Sequence, residues 1–134
     1  MNAYVCFCIF YILAEVDIIE TNTYQASIFG FKKHLNLSEE ESYKLIQKAV
    51  SLAKTAIKRC EKLGYKAPQI AGSVGPYGAY LHDGSEYSGH YIDNVTDKEL
   101  KEYHEPRVDA LVKAGVDLIA IETIPAKKRS FNNP

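Results

Sequence analysis

The sequence predicts an α/β fold, a parallel sheet whose strands are joined by helices, built either as a small open sheet or as a piece of a (β/α)8 barrel. Three observations predict it. First, Leu13-Ala14-Glu15-Val16-Asp17-Ile18-Ile19-Glu20-Thr21 and Lys113-Ala114-Gly115-Val116-Asp117-Leu118-Ile119-Ala120-Ile121-Glu122-Thr123 share an Ala-x-Val-Asp step 100 residues apart (117 − 17). In each, the step precedes a short aliphatic run that ends in polar residues. Strands of a parallel sheet are apolar because both faces are covered, and polar residues at their carboxyl ends face a site. Second, strand-like and helix-like patterns alternate as strand, helix, strand, helix, strand, which implies parallel pairing with right-handed crossovers. Third, 134 residues suffice for one domain with a core, but three strands do not close a barrel, which takes about 250 residues.

Each element has its own reason. Ala3 to Ala14 is strongly apolar. It lacks a basic n-region and a small-residue cleavage site, and it falls short of the roughly 20 residues that span a bilayer. It reads as a buried helix or strand, with a signal anchor or a mis-spliced start as the alternatives. Val16 to Thr21 is the first strand, and Asn22 to Asn36 reads as a polar and aromatic loop. Ser38 and Glu41 form a capping box. The helix they open carries an apolar stripe at Leu45, Ile46, Ala49, Val50, Ala53, Ala56, Ile57 and Cys60, and Gly64 ends it.

Gln69 to Val74 is the second strand. Gly75 to Val95 follows as a loop, and one longer than about 15 residues is functional or disordered. Its tyrosines, Tyr77, Tyr80, Tyr87 and Tyr91, argue for order. Thr96 and Glu99 form a second capping box. Their helix meets Pro106, which kinks or restarts it, resumes through Ala110, Leu111 and Ala114, and stops at Gly115. Val116 to Glu122 is the third strand and Ile124-Pro125 a turn. Lys127 to Pro134, basic and then rich in Asn and Pro, reads as a frayed tail.

A net charge of −1, with 46% hydrophobic and 25% charged residues, gives no electrostatic case for nucleic acid or an anionic membrane. Cys6, Cys8 and Cys60 have the spacing of neither a disulfide scaffold nor a zinc knuckle. They read as reduced thiols in a cytoplasmic protein.

In a β/α architecture the site lies beyond the carboxyl ends of the strands. That rule selects Thr21, Asn22, Thr23, Tyr24 and Gln25, then Ser73, Gly75, Pro76, Tyr77 and Gly78, then Glu122 and Thr123. A carboxylate at Glu122 holds an ammonium group, acts as a base, or simply reaches solvent or caps a helix. Gly72 to Gly78 is not a phosphate loop: it lacks G-x-G-x-x-G and Lys-Ser/Thr, and Pro76 removes a donor. It reads as a tight turn that lets a substrate approach the backbone, or as a plain strand-ending turn. His82, Asp83, Glu86 and His90 match no metal motif and read as organisers of their loop. His104 reads as structural. Tyr24, Tyr77, Tyr80, Tyr87 and Tyr91 line a pocket or pack with a wet hydroxyl.

Four segments in order carry a family resemblance: Asp17 to Ser27 (DIIETNTYQAS), Ala71 to Gly78 (AGSVGPYG), Gly84 to Tyr91 (GSEYSGHY) and Ala114 to Pro125 (AGVDLIAIETIP). Together they resemble the homocysteine S-methyltransferase family, above all its branch using S-methylmethionine or S-adenosylmethionine. The resemblance implies a partial TIM (β/α)8 barrel, about strands 2–4 with their helices, over residues 11–126. A divergent apolar segment, 1–10, and a divergent tail, 127–134, flank it.

The function it implies is methyl transfer from a sulfonium donor, or from betaine in a sister branch, to the thiol of homocysteine, giving methionine. In the family a zinc ion on three cysteines favours the thiolate nucleophile, and the donor needs only alignment. By resemblance Glu122 holds the homocysteine amino group, and Thr21, Asn22, Tyr24, Ser73 and Tyr77 complete the substrate side. The family's first strand and its zinc cysteines have no counterpart here, and Cys6, Cys8 and Cys60 do not match the zinc positions. The expectation is therefore no catalytic residue and no metal in this chain, which alone is inactive. Exposed sheet edges would then favour self-association or pairing with another chain. A different barrel enzyme using Glu122 as base is the remaining alternative, without a strand-end lysine or phosphate loop to support it.

Overall fold

The computed structural model describes residues 2–125, and the 127–134 tail lies outside them. Three strands, β1 (Ile18–Glu20), β2 (Gln69–Val74) and β3 (Leu118–Ile121), form one sheet in the order β1-β2-β3. Both pairings are parallel, with Ile19 opposite Ile70 and Ala71 opposite Leu118. The helices are α1 (Ala3–Leu13), α2 (Ile28–Leu35), α3 (Glu39–Glu61), α4 (Tyr77–Leu81), α5 (Ser85–Ser88) and α6 (Asp97–Ala114), with a 3₁₀ turn at His90–Asp93.

The repeated Val-Asp step starts a strand in both places. The Asp17 carbonyl accepts from Gln69 N–H at 2.9 Å. The Asp117 carboxylate accepts from Ile70 N–H at 2.7 Å. Each aspartate thus fixes where its strand begins to pair with β2.

Both expected capping boxes are present, at Ser38/Glu41 and Thr96/Glu99. The stripe of α3 is buried at Ile46, Val50, Ala53, Ala56 and Cys60, against Ile19, Ile70 and Val74 of the sheet and Ala110 and Leu111 of α6. Tyr43 donates to Asp109 at 2.6 Å and Lys54 to the Ala114 carbonyl at 2.7 Å, tying α3 to α6. Gly115 ends α6 in the left-handed region (φ 79°). α3 stops at Glu61, three residues short of Gly64.

The apolar amino-terminal segment is a helix. α1 packs Val5, Cys8 and Ile12 into the core. Its other side leaves Phe7 and Phe10 exposed, and Ile18 and Ile121 of the outer strands are exposed as well. Among the described residues no helix is long and apolar enough to cross a membrane.

Two stretches read as loops are largely helical. Residues 22–36 contain α2, capped by Ser27 on Gly30 N–H at 3.0 Å and closed by Asn36 in the left-handed region (φ 54°). Eight residues are too few to show a helical period. Residues 75–95 fold into α4, α5 and the 3₁₀ turn around packed tyrosines. α6 runs through Pro106 without a break.

Candidate functional site

The carboxyl ends of the three strands form one rim, joined by hydrogen bonds across the sheet. Thr23 Oγ1 donates to the Ser73 carbonyl at 2.7 Å, and Ser73 N–H donates to Thr21 Oγ1 at 3.0 Å. The two threonine hydroxyls lie 2.6 Å apart. Because the single proton of Thr23 goes to Ser73, the proton between the hydroxyls belongs to Thr21. The result is a closed relay, Ser73 N–H to Thr21 to Thr23 to Ser73 C=O. Ser73, Thr21 and Thr23 are all buried. The Thr21 hydroxyl is therefore engaged in orienting Ser73.

Ser73 spends its own hydroxyl on Glu122, donating to Oε1 across the β2–β3 boundary. The Glu122 backbone is fixed by its N–H on the Val74 carbonyl at 3.1 Å. Thr123, next in the chain, is a β-branched residue in the left-handed region (φ 53°), a strained geometry for such a side chain. Glu20, at the end of β1, feels the Glu122 charge. Partial burial first, and then repulsion from Glu122, push its carboxyl above the usual range. The rim between β1 and β3 is therefore anionic, and a cation placed there would relieve that repulsion.

Beneath the rim lies Arg107 of α6, 1% exposed. Its guanidinium donates to the carbonyls of Thr23 (3.0 Å), Tyr24 (2.7 Å) and Gly75 (3.2 Å) and to the Tyr103 hydroxyl (3.0 Å). Gly75 N–H also donates to the Tyr24 carbonyl at 3.2 Å. A Cβ at Gly75 would come within 2.7 Å of Tyr24, so only glycine allows the two turns to meet.

Tyr103 is the hub of an aromatic cluster with Phe29, Tyr77 and Tyr80, and Tyr91 packs on Tyr77. Burial pushes the phenols of Tyr77, Tyr91 and Tyr103 up. The adjoining His104 is held down to about 4 by burial and by the Arg107 charge, so it is neutral at pH 7.

Of the residues selected from sequence, Thr21, Tyr24, Ser73 and Glu122 are joined in this network. Asn22 is exposed at the turn and lines a cavity of about 610 Å³ between residues 22–26, Phe31 and α3, which neither Ser73 nor Glu122 enters. Tyr77 sits in the aromatic cluster. Asp83 caps Ser85 N–H at 2.9 Å, the hydrogen bonds that hold its carboxyl below the usual range. The His82 ring rests edge-on to His34. Arg107 and Glu20 escaped the strand-end rule. Arg107 had a signal, a charged residue in register with the apolar positions Ala110, Leu111 and Ala114.

Zinc does not fit the donors present. Among the described residues no group of three or more His, Cys, Asp or Glu could hold a metal ion. Cys6 and Cys8 lie on α1 and Cys60 on α3, and burial pushes the Cys8 and Cys60 thiols up, away from the thiolate a metal requires.

A parallel βαβ segment with a polar strand-end rim defines an α/β protein. The comparisons make the class specific. The sequence profile of the homocysteine S-methyltransferase family matches residues 9–130. This chain belongs to that family.

It is 50% identical over 114 residues to a betaine-homocysteine S-methyltransferase of Drosophila melanogaster, covering 81% of this chain and 34% of that protein. It is also 50% identical over 124 residues to homocysteine S-methyltransferase 1 of Arabidopsis thaliana, covering 87% of this chain and 38% of that one. The crystal structure of the homocysteine methyltransferase MmuM from Escherichia coli, metallated form, superposes with a TM-score of 0.83 at 41% identity, over 90% of this chain and 42% of that one. The chain thus spans little more than a third of the relatives it matches.

Proposed function

We propose that the chain is the strand 2–4 part of a (β/α)8 homocysteine S-methyltransferase barrel, and that its rim receives homocysteine. Glu122 takes the ammonium group, with Ser73 fixing the carboxylate. Asn22, Tyr24 and Tyr77 flank the amino acid, and Thr21 acts through Ser73. The methyl group comes from a sulfonium donor, S-methylmethionine or S-adenosylmethionine. Family membership supports the acceptor. The observation that carries the role of Glu122 is its bond from Ser73: one carboxylate oxygen is held, and the other has no hydrogen bond among the described residues. The proposal includes that this chain alone transfers no methyl group, because its cysteines do not form the family's thiolate set. A cytoplasmic location follows from reading those cysteines as free thiols.

Titration of the labelled chain with L-homocysteine, followed by backbone NMR, tests this. Shifts should concentrate at Thr21–Tyr24, Ser73–Tyr77 and Glu122. Glu122→Gln, which keeps the acceptor for Ser73, should weaken binding at least tenfold, since a charge-assisted hydrogen bond is worth about 1.5–3 kcal/mol. Shifts scattered elsewhere, or unchanged affinity in the variant, overturn the assignment. Methionine formed by the purified chain overturns the inactivity.

A second reading has its own observation. The outer strands carry exposed apolar residues, Ile18 and Ile121, and α1 exposes Phe10 as well as Phe7, the latter beside β1. Such edges favour association with a second chain. A clean monomer in gel filtration at high concentration would refute it.

A further inference from the structure

We propose that Arg107 is a positioning residue for the substrate rim, acting through the Thr23, Tyr24 and Gly75 carbonyls. The proposal rests on the reading of that rim as the homocysteine side. A guanidinium sealed from solvent without an acidic partner is an expensive way to fill space, and an apolar side chain of similar size would serve a core better. None of the ion pairs found among the described residues involves Arg107.

What Arg107 does have is three carbonyls from two different turns, one after β1 and one after β2, together with Tyr103 one helical turn earlier. Its planar fork meets several acceptors in fixed directions, which a lysine ammonium on a flexible stem does not. The two turns carry Asn22, Tyr24 and Tyr77 and adjoin Ser73. Fixing the Thr23 and Tyr24 carbonyls fixes both peptide planes that meet at the Tyr24 Cα, and fixing the Gly75 carbonyl fixes the plane that leads into Pro76, next to Tyr77. The thermal mobility of the rim is thereby set by α6, an element that contributes no side chain to the ligand.

The test uses the chain as it is. In Arg107→Lys, which keeps the charge and loses the fork, hydrogen exchange at Gly75 N–H, bonded to Tyr24, and at Ala26 N–H, bonded to Thr23, should accelerate at least tenfold. Amides of Val50, Ala53 and Ile70 should stay within twofold, and the affinity for L-homocysteine should fall at least fivefold. Uniform acceleration throughout the chain would make Arg107 a mere core residue, and unchanged exchange at Gly75 and Ala26 would deny the clamp; either overturns the proposal.

If the lysine variant does not fold, the wild-type chain decides. Nitrogen-edited NMR of the arginine side chain at low temperature should resolve separate Nη protons for Arg107, and a single averaged signal overturns the proposal. If the wild-type chain shows no homocysteine-dependent shifts while the exchange result holds, the substrate reading falls and the positioning role stands.

Discussion

Replacing Thr21 by valine removes one oxygen from the centre of the rim and keeps the branched shape. The structure says what that oxygen does: it accepts from Ser73 N–H at 3.0 Å and donates to Thr23. Both neighbours are buried, so water cannot substitute easily. A buried donor left without a partner costs about 1–3 kcal/mol. We expect a loss of about 2 kcal/mol, which for a domain of this size lowers Tm by roughly 4–10 °C. Thr21→Ser is the control, because it keeps the hydroxyl and gives up a methyl group, about 1 kcal/mol.

Urea denaturation followed by circular dichroism, with unchanged m values, measures both. The double variant Thr21→Val/Thr23→Val should cost less than the sum of the single variants, because a closed relay is broken only once. If Thr21→Val is no less stable than Thr21→Ser, the relay is not what holds β1 to β2 at the rim, and the orientation of Ser73 must come from the backbone alone.

Other expectations follow from the same structure. Gly78→Ala drives a Cβ into the Glu86 backbone and should cost at least about 2 kcal/mol, whereas Gly84→Ala enters open space and meets only the strain of φ +78°, about 1 kcal/mol. Thermal melts of the two would separate crowding from backbone strain. Ser38→Ala and Thr96→Ala each remove a helix cap and should each cost about 1 kcal/mol, read by denaturant titration. His104 should titrate by NMR near 4 rather than near 6.5. Its folded-state value lies below the unfolded one, so its neutral burial favours folding above about pH 6.5, and that contribution is lost as pH falls toward 4. Stability should therefore drop more steeply over that window in the wild-type chain than in His104→Gln.

Legibility followed the range of the interaction. β1 and β3 were readable because each carries its own apolar run behind an aspartate, and the capping boxes because Ser38 meets Glu41, and Thr96 meets Glu99, within one turn. α2 was missed because its eight residues hold barely two turns and its cap, Ser27, lies in a stretch rich in other polar residues. The rim residues could be nominated from strand ends, but not their wiring. That Ser73 would reach Glu122 depends on Ala71 standing opposite Leu118, a register pinned by Asp117 on Ile70 between distant parts of the chain. Arg107 was legible in principle, since its place beside Ala110 and Leu111 puts a cation on a buried face. What it binds there, carbonyls more than 30 residues away in sequence, was not.

The wiring also determines what a segment of this length retains. The threonine relay, the Ser73–Glu122 bond and the Arg107 clamp all start and end within β1, β2, β3, their turns and α6. Fixing a backbone residue costs roughly 1–2 kcal/mol. For the turns at 21–25 and 73–77 that cost is met on folding, by the threonine relay and the Arg107 clamp, before any ligand arrives. A ligand meeting this rim therefore finds ordered turns, and its affinity is limited by the contacts on offer rather than by loop ordering. Adding strands at the open edges beside Ile18 and Ile121 would increase the contacts available to a ligand without having to rebuild the part already in place.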